Sequence, residues 1–101
     1  MPQLRVDLQD GFAGELTILK IDGKEVHRSN PKTRTQIGLA EACSFELPAG
    51  SRRVTFAIEI PKKGVSGSHG FVPSADLSLG VSVEPTGVIS FRTSIEPFGY
   101  V

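Results

Sequence analysis

Hydrophobic and polar residues alternate with a period of two along most of this chain, the pattern of strands with one face turned to a core. Leu4, Val6 and Leu8 alternate with Arg5, Asp7 and Gln9, which predicts a first strand with one wet face. Cys43, Phe45 and Leu47 point one way, Ser44 and Glu46 the other. Val54, Phe56, Ile58 and Ile60 alternate with Arg53, Thr55, Ala57 and Glu59, the cleanest strand in the sequence. Leu77, Leu79, Val81 and Val83 form another, and Ile89, Phe91, Thr93 and Ile95, alternating with Ser90, Arg92 and Ser94, predict its return partner. Apolar residues never recur at helical spacing over a helical length; Gly38 to Ala42 offers at most one helical turn.

Turn chemistry joins these runs. Asp22-Gly23, between Leu16–Ile21 and Lys24–His27, is a preferred pair for a two-residue type I′ hairpin, where both turn residues need positive φ. A regular ribbon then pairs Ile21 with Lys24, Lys20 with Glu25, Leu19 with Val26 and Ile18 with His27, placing opposite charges on one face and apolar side chains on the other. Pro48-Ala49-Gly50 and Pro85-Thr86-Gly87 read as turns, with proline setting φ at the corner. Residues 28–34 read as a polar loop, 35–39 as a short strand interrupted by Gly38, and 61–74 as the longest irregular stretch.

Seven or eight short strands joined by Gly/Pro turns predict a single all-β domain over residues 1–101. The expected architecture is an antiparallel two-sheet sandwich of immunoglobulin or transthyretin-like topology, with a small closed barrel as the alternative. The chain has no Trp and one Cys, so the buried Trp and disulfide of antibody domains are absent. At 101 residues and 39% hydrophobic content it is large enough to bury one core. No apolar run approaches the ~20 residues of a membrane helix. A lone Cys and an N-terminal segment without a signal-like apolar stretch lean toward a reducing, cytoplasmic setting.

The order Ile21-Asp22-Gly23-Lys24-Glu25-Val26, a proline-bearing loop, then Glu46-Leu47-Pro48-Ala49-Gly50 leading to Val54-Thr55-Phe56 resembles the small sandwiches of the PEGA and transthyretin-like groups. The resemblance covers roughly residues 16–60 and implies a fold. The enzymatic members of that group, the hydroxyisourate hydrolases, end in Tyr-Arg-Gly-Ser and carry paired histidines. This chain ends Gly99-Tyr100-Val101 and has two His, a departure that weighs against that activity.

Formal charge is zero but uneven: residues 1–19 sum to −2, 20–63 to +4 and 71–101 to −2. Arg28, Lys32 and Arg34, with Lys62 and Lys63, make a mild basic surface. Gly64, Gly67 and Gly70 lie beside those lysines, where bared backbone N–H groups could cradle a small anion, with His69 nearby. No P-loop motif accompanies them. Cys43 with His27 or His69 and Asp22 or Asp76 could supply a nucleophilic triad, but the apolar face that Cys43 shares with Phe45 and Leu47 suits an inert core thiol. A zinc or blue-copper site would need better-spaced soft ligands than Cys43, His27 and His69 offer, so no metal or cofactor is expected. Nucleic-acid binding would want a strongly basic face with exposed aromatics, whereas Phe45, Phe56 and Phe91 alternate inward. The apolar tail, with Phe98 and Tyr100, either docks back or inserts into a partner. The expectation is a non-enzymatic interaction or accessory module that binds a protein partner or a second copy. The runner-up is a small-ligand or anion-binding sandwich using residues 61–70, with a small hydrolase a distant third.

Overall fold

The computed structural model describes residues 2–34, 36, 38–47, 52–73, 75–96 and 98. Eight strands run through them: β1 (Gln3–Leu8), β2 (Thr17–Ile21), β3 (Lys24–Ser29), β4 (Glu41–Glu46), β5 (Val54–Ile60), β6 (Val65–Phe71), β7 (Leu77–Val83) and β8 (Ile89–Ser94), with a 3-10 turn at Pro61–Lys63 between β5 and β6. They form two four-stranded sheets, ordered β4-β1-β7-β8 and β3-β2-β5-β6. The protein is thus an all-β, two-sheet sandwich rather than one closed barrel. One pairing departs from the antiparallel expectation: β1 runs parallel to β7, with Leu4 opposite Leu77 and Leu8 opposite Val81. Because the chain reaches β7 only after crossing to the other sheet and back, no hairpin constrains the direction of this pair.

The inner faces meet in one core. Leu4, Val6, Leu8, Leu79, Val81 and Val83 of one sheet pack with Leu19, Phe56, Ile58 and Ile60 of the other. Phe56 is fully buried and meets Phe91 edge to face, ring centres 6.4 Å apart. Burying each such side chain contributes about 1.5–3 kcal/mol, and the alternation that predicted these strands is what brings all of them to one side. Among the described residues, no buried side-chain nitrogen or oxygen lacks a hydrogen-bond partner, and no helix is long and apolar enough to cross a membrane.

The second face of β1 is wet only at its start, where Gln3 is exposed and Arg5 half-buried. β1 is central in its sheet, and Asp7 is fully buried there, with Arg5 Nε donating to its Oδ1 at 2.9 Å. Gln9 is buried too, its amide lying over Gly80, where a Cβ would come within 2.7 Å of it. Ile95, expected on the inner face of the last strand, lies beyond β8 and is 84% exposed.

Asp22 (φ 51°) and Gly23 (φ 81°) form the hairpin turn. It is docked on β5: Asp22 N donates to Thr55 O at 2.8 Å, and Thr55 N to Asp22 Oδ1 at 3.0 Å. Ile21 pairs with Lys24 and Lys20 with Glu25 as expected. The register then shifts, so that Leu19 meets His27, Ile18 meets Arg28 and Thr17 meets Ser29. Val26 is the extra residue of a β-bulge and is exposed. The ion pairs do not cross the hairpin: Lys20 Nζ lies 2.9 Å from Glu59 of β5, and Arg28 pairs with Glu25 of its own strand at 2.8 Å.

Other segments differ from their sequence reading. Arg28 and Ser29 belong to β3, not to a loop. Where residues 35–39 read as a short strand and 38–42 as at most a helical turn, Arg34 and Leu39 form an isolated antiparallel bridge, with Arg34 N donating to Leu39 O and Gly38 N to Arg34 O, and Glu41 and Ala42 belong to β4; Thr35 and Ile37 lie outside the described residues. Half of 61–74 is the regular strand β6, paired with β5 over its whole length; four glycines and serines between residues 66 and 70 lack the apolar alternation that marks a strand. The turn at Pro85-Thr86-Gly87 forms as expected, Gly87 N donating to Glu84 O at 2.8 Å. The Pro48-Ala49-Gly50 turn lies outside the described residues.

Gly11 (φ 89°) sits where a Cβ would be 1.9 Å from the Val83 carbonyl oxygen, whereas at Gly14, with the same φ, a Cβ would meet nothing. Gly14→Ala should therefore cost about 1–2 kcal/mol, the left-handed penalty alone. Gly11→Ala should cost more than about 3 kcal/mol, at the upper end of ordinary point substitutions. Urea unfolding of the two variants measures the difference, and equal costs would contradict the close approach of residues 11 and 83.

Candidate functional site

The bulge at Val26 decides what lies between β3 and β4. Cross-strand partners share a face, and Leu19 is fully buried in the core. Pairing with Leu19 therefore turns His27 inward, where a regular ribbon would have placed Val26, and Ser29 follows it. Both reach Glu41 at the start of β4, the edge strand of the other sheet. Ser29 Oγ donates to Glu41 Oε1 at 2.5 Å, and His27 Nε2 stands 3.3 Å from Glu41 Oε2. Glu41 and Cys43 are two residues apart on β4, opposite Leu8 and Val6, so both side chains point inward. His27, Glu41 and Cys43 each offer one donor atom, and these atoms all lie within 4.8 Å of one another. All three are half-buried. A depression of about 170 Å³ lined by Ser29, Asn30, Pro31, Lys32, Ala40 and Glu41 opens beside the cluster.

Sequence reasoning placed His27 on the other face and did not weigh Glu41. Two signals point to the grouping after the fact: Glu41 continues the inward alternation of Cys43, Phe45 and Leu47, and His27 and Ser29 form a polar i, i+2 pair. The bulge that joins them has no signature in the sequence.

Cys43 packs against the core. Burial, then the charges of Glu41 and Asp7, push its thiol up to about 11. The thiolate that nucleophilic catalysis requires is thus suppressed, and the aspartates of the candidate triad are engaged elsewhere: Asp22 Oδ1 accepts from Thr55 N on β5 at 3.0 Å, and Asp76 accepts from Gln3 N at 2.8 Å.

The basic and glycine positions do not converge. Arg28 on β3 is engaged with Glu25, and Lys32 and Arg34 are exposed in isolated bridges, Lys32 with Ala13 and Arg34 with Leu39. Lys62, Lys63 and Gly64 lie at the opposite edge of that sheet, three strand spacings or roughly 14 Å away, in and after the 3-10 turn. Lys63 Nζ is 3.4 Å from Glu15. Gly67 and Gly70 do not form an anion cradle with Gly64, because both are within β6. Gly67 leaves room for Ile89 and Phe91, and the Arg53 guanidinium lies over Gly70. His69 stacks on Phe91 (ring centres 5.6 Å apart) and on Phe71 (6.5 Å). Phe98 lies against the Arg92 guanidinium, 4.6 Å from its carbon to the ring centre. Tyr100 lies outside the described residues.

A second feature is β6 itself, which ends its sheet with β5 as its one neighbour among the described residues. Thr55 directs its N–H and C=O toward the β2–β3 hairpin. Backbone groups alternate along a strand, so Phe56, Ile58 and Ile60 bond to β6 through His69, Gly67 and Val65. Ser66, Ser68 and Gly70 therefore turn their backbone groups outward. Arg53 donates to Gly70 O at 3.4 Å. Val65–Phe71 contains no charged residue and no proline, and its pairing shows no bulge. Apart from the Arg53 guanidinium over Gly70, the strand carries none of the usual protections of an exposed edge.

Comparison with family models, with curated proteins and with solved structures finds no match.

Because the Glu41 charge contributes to the raised Cys43 pKa, alkylation by iodoacetamide should be slow near neutrality and accelerate up to about pH 11. Glu41→Gln should shift that profile to lower pH. A rate profile centred on the ordinary thiol range near 8.5, unaffected by Glu41→Gln, would contradict the burial and charge described above.

Proposed function

We propose that this protein is a non-enzymatic interaction module whose binding edge is β6, with a second copy of the chain as its first partner. The observation that carries this reading is the outward set Ser66, Ser68 and Gly70 on an edge strand without charge, proline or bulge. Strand addition at such an edge takes its affinity from main-chain hydrogen bonds. The set is close to self-complementary under a two-fold axis: an antiparallel copy would place Ser68 opposite Ser68 and Ser66 opposite Gly70, with the Arg53 guanidinium giving up Gly70 O to the incoming strand, and the small side chains allow close approach. Charged and bulged β3 is a poorer template, and Arg92 interrupts β8.

In this reading the domain is a small accessory sandwich of the immunoglobulin and transthyretin-like kind, which agrees with the resemblance of residues 16–60 to the PEGA and transthyretin-like groups. Dispersal of the basic residues over opposite edges favours a protein partner over a polyanion.

Self-association should be concentration-dependent in sedimentation equilibrium. Ser68→Pro removes an N–H that points away from β5, so it should weaken association at least about tenfold while leaving the melting temperature within a few degrees. Gly67→Pro removes an N–H that bonds to β5 and should destabilise the fold itself by about 1–3 kcal/mol. A chain that stays monomeric at all concentrations, or one whose dimer tolerates Ser68→Pro, would overturn this proposal.

A further inference from the structure

We infer that His27, Glu41 and Cys43 form a binding site for a divalent ion of borderline softness, zinc above all, bridging the β3 edge of one sheet to the β4 edge of the other. The donor set is one imidazole nitrogen, one carboxylate oxygen and one sulfur. That combination suits zinc and its neighbours in the transition series and is foreign to calcium and magnesium, which take oxygen ligands. Around a tetrahedral zinc, donors at about 2.0–2.3 Å from the metal stand about 3.3–3.6 Å from one another. The His27–Glu41 separation is already 3.3 Å, and all donor pairs fall within 4.8 Å. The largest separation exceeds the tetrahedral spacing by little more than an ångström, a distance within reach of side-chain rotation.

Two further observations favour a built site. Ser29 Oγ donates to Glu41 Oε1, leaving Oε2, the oxygen nearest His27, to face the ion; outer hydrogen bonds of this kind orient metal ligands. The bulge at Val26 spends a core-facing position on His27, which a regular ribbon would have filled with valine. When the ion binds, the Cys43 Sγ–H proton passes to solvent as the Sγ–metal bond forms; the His27 Nε2–H proton that bonds Glu41 is also released while Nδ1 takes one from solvent, so the neutral imidazole changes tautomer and Nε2 offers its lone pair to the metal. Three protein ligands leave a fourth position, and the depression beside Ser29, Pro31 and Ala40 gives water or an exogenous ligand access to it, the arrangement of an open rather than a closed zinc site.

The test is titration of the reduced, metal-free full chain with Co²⁺, whose bond to a thiolate produces a charge-transfer absorption in the near ultraviolet. The expected result is that band at one equivalent, bleached by Zn²⁺ and untouched by excess Ca²⁺. Cys43→Ser should abolish it. His27→Ala and Glu41→Gln should each weaken Co²⁺ binding at least tenfold, and Ser29→Ala should weaken it about 10–100-fold, as loss of an outer partner does. His69→Ala, on the opposite edge of that sheet, should leave the titration unchanged. Circular dichroism and urea midpoints of each variant without metal separate loss of the site from loss of the fold. Absence of the band in the folded wild-type chain overturns the inference. So does a folded His27→Ala variant that binds like wild type, or a His69→Ala variant that loses as much as His27→Ala.

Discussion

Leu4, Val6 and Leu8 are held at zero exposure between β4 and β7, and the arrangement of both sheets follows from covering them. β1 lies at the centre of its sheet, so it must be paired on both sides, by an antiparallel neighbour from the middle of the chain and a parallel one from its last third. The second sheet then closes over its inner face through Leu19, Phe56, Ile58 and Ile60. The outer face is closed differently. Asp7 is tied to Arg5 there, and the Gln9 amide fills the space that the missing side chain of Gly80 leaves open. A buried carboxylate is tolerable only when paired and hydrogen-bonded, so the charges of β1 are as much a part of its packing as its leucines.

The two open sides of the sandwich are joined by different chemistry. Between β6 and β8 the contact is aromatic and close: Gly67 admits Ile89 and Phe91, and His69 stacks on Phe91. Between β3 and β4 it is polar, with Glu41 receiving His27 and Ser29 from the opposite sheet. The two histidines therefore have unlike surroundings, one beside π-faces and one beside a carboxylate and a thiol. Only the second has a carboxylate oxygen and a sulfur within 4.8 Å, while the first stands on β6, the strand that ends its sheet.

A single extra residue, Val26, connects the fold to the candidate site. Strand side chains have a period of two, so a one-residue shift exchanges the faces of everything beyond it. In β3 the exchange puts Val26 into solvent and brings His27 and Ser29 to the sheet interface. The hydrophobic loss is modest, since Val26 is one of the smaller apolar residues. The gain is a polar bridge between edges that would otherwise meet only through the core.

Much of the fold was legible from the residues in order. Alternation of side chains located β1, β5, β7 and β8, and the inward set of β4, because a strand half-buried in a sandwich must send every second residue to the core. Asp22-Gly23 specified its turn and the first two pairs of its ribbon, because few residues accept positive φ at both positions. Tertiary structure decided the rest. The parallel β1–β7 pair joins segments some seventy residues apart, and no local pattern records direction across that distance. Strand β6 was hidden because glycine and serine carry no hydrophobic signal, and their strand conformation is imposed by pairing with β5. The burial of Asp7 and Gln9 depended on β1 being central rather than at an edge. The grouping of His27, Glu41 and Cys43 depended on a bulge whose register is set by what Leu19 must face, a fact of packing between sheets that the order of residues does not carry.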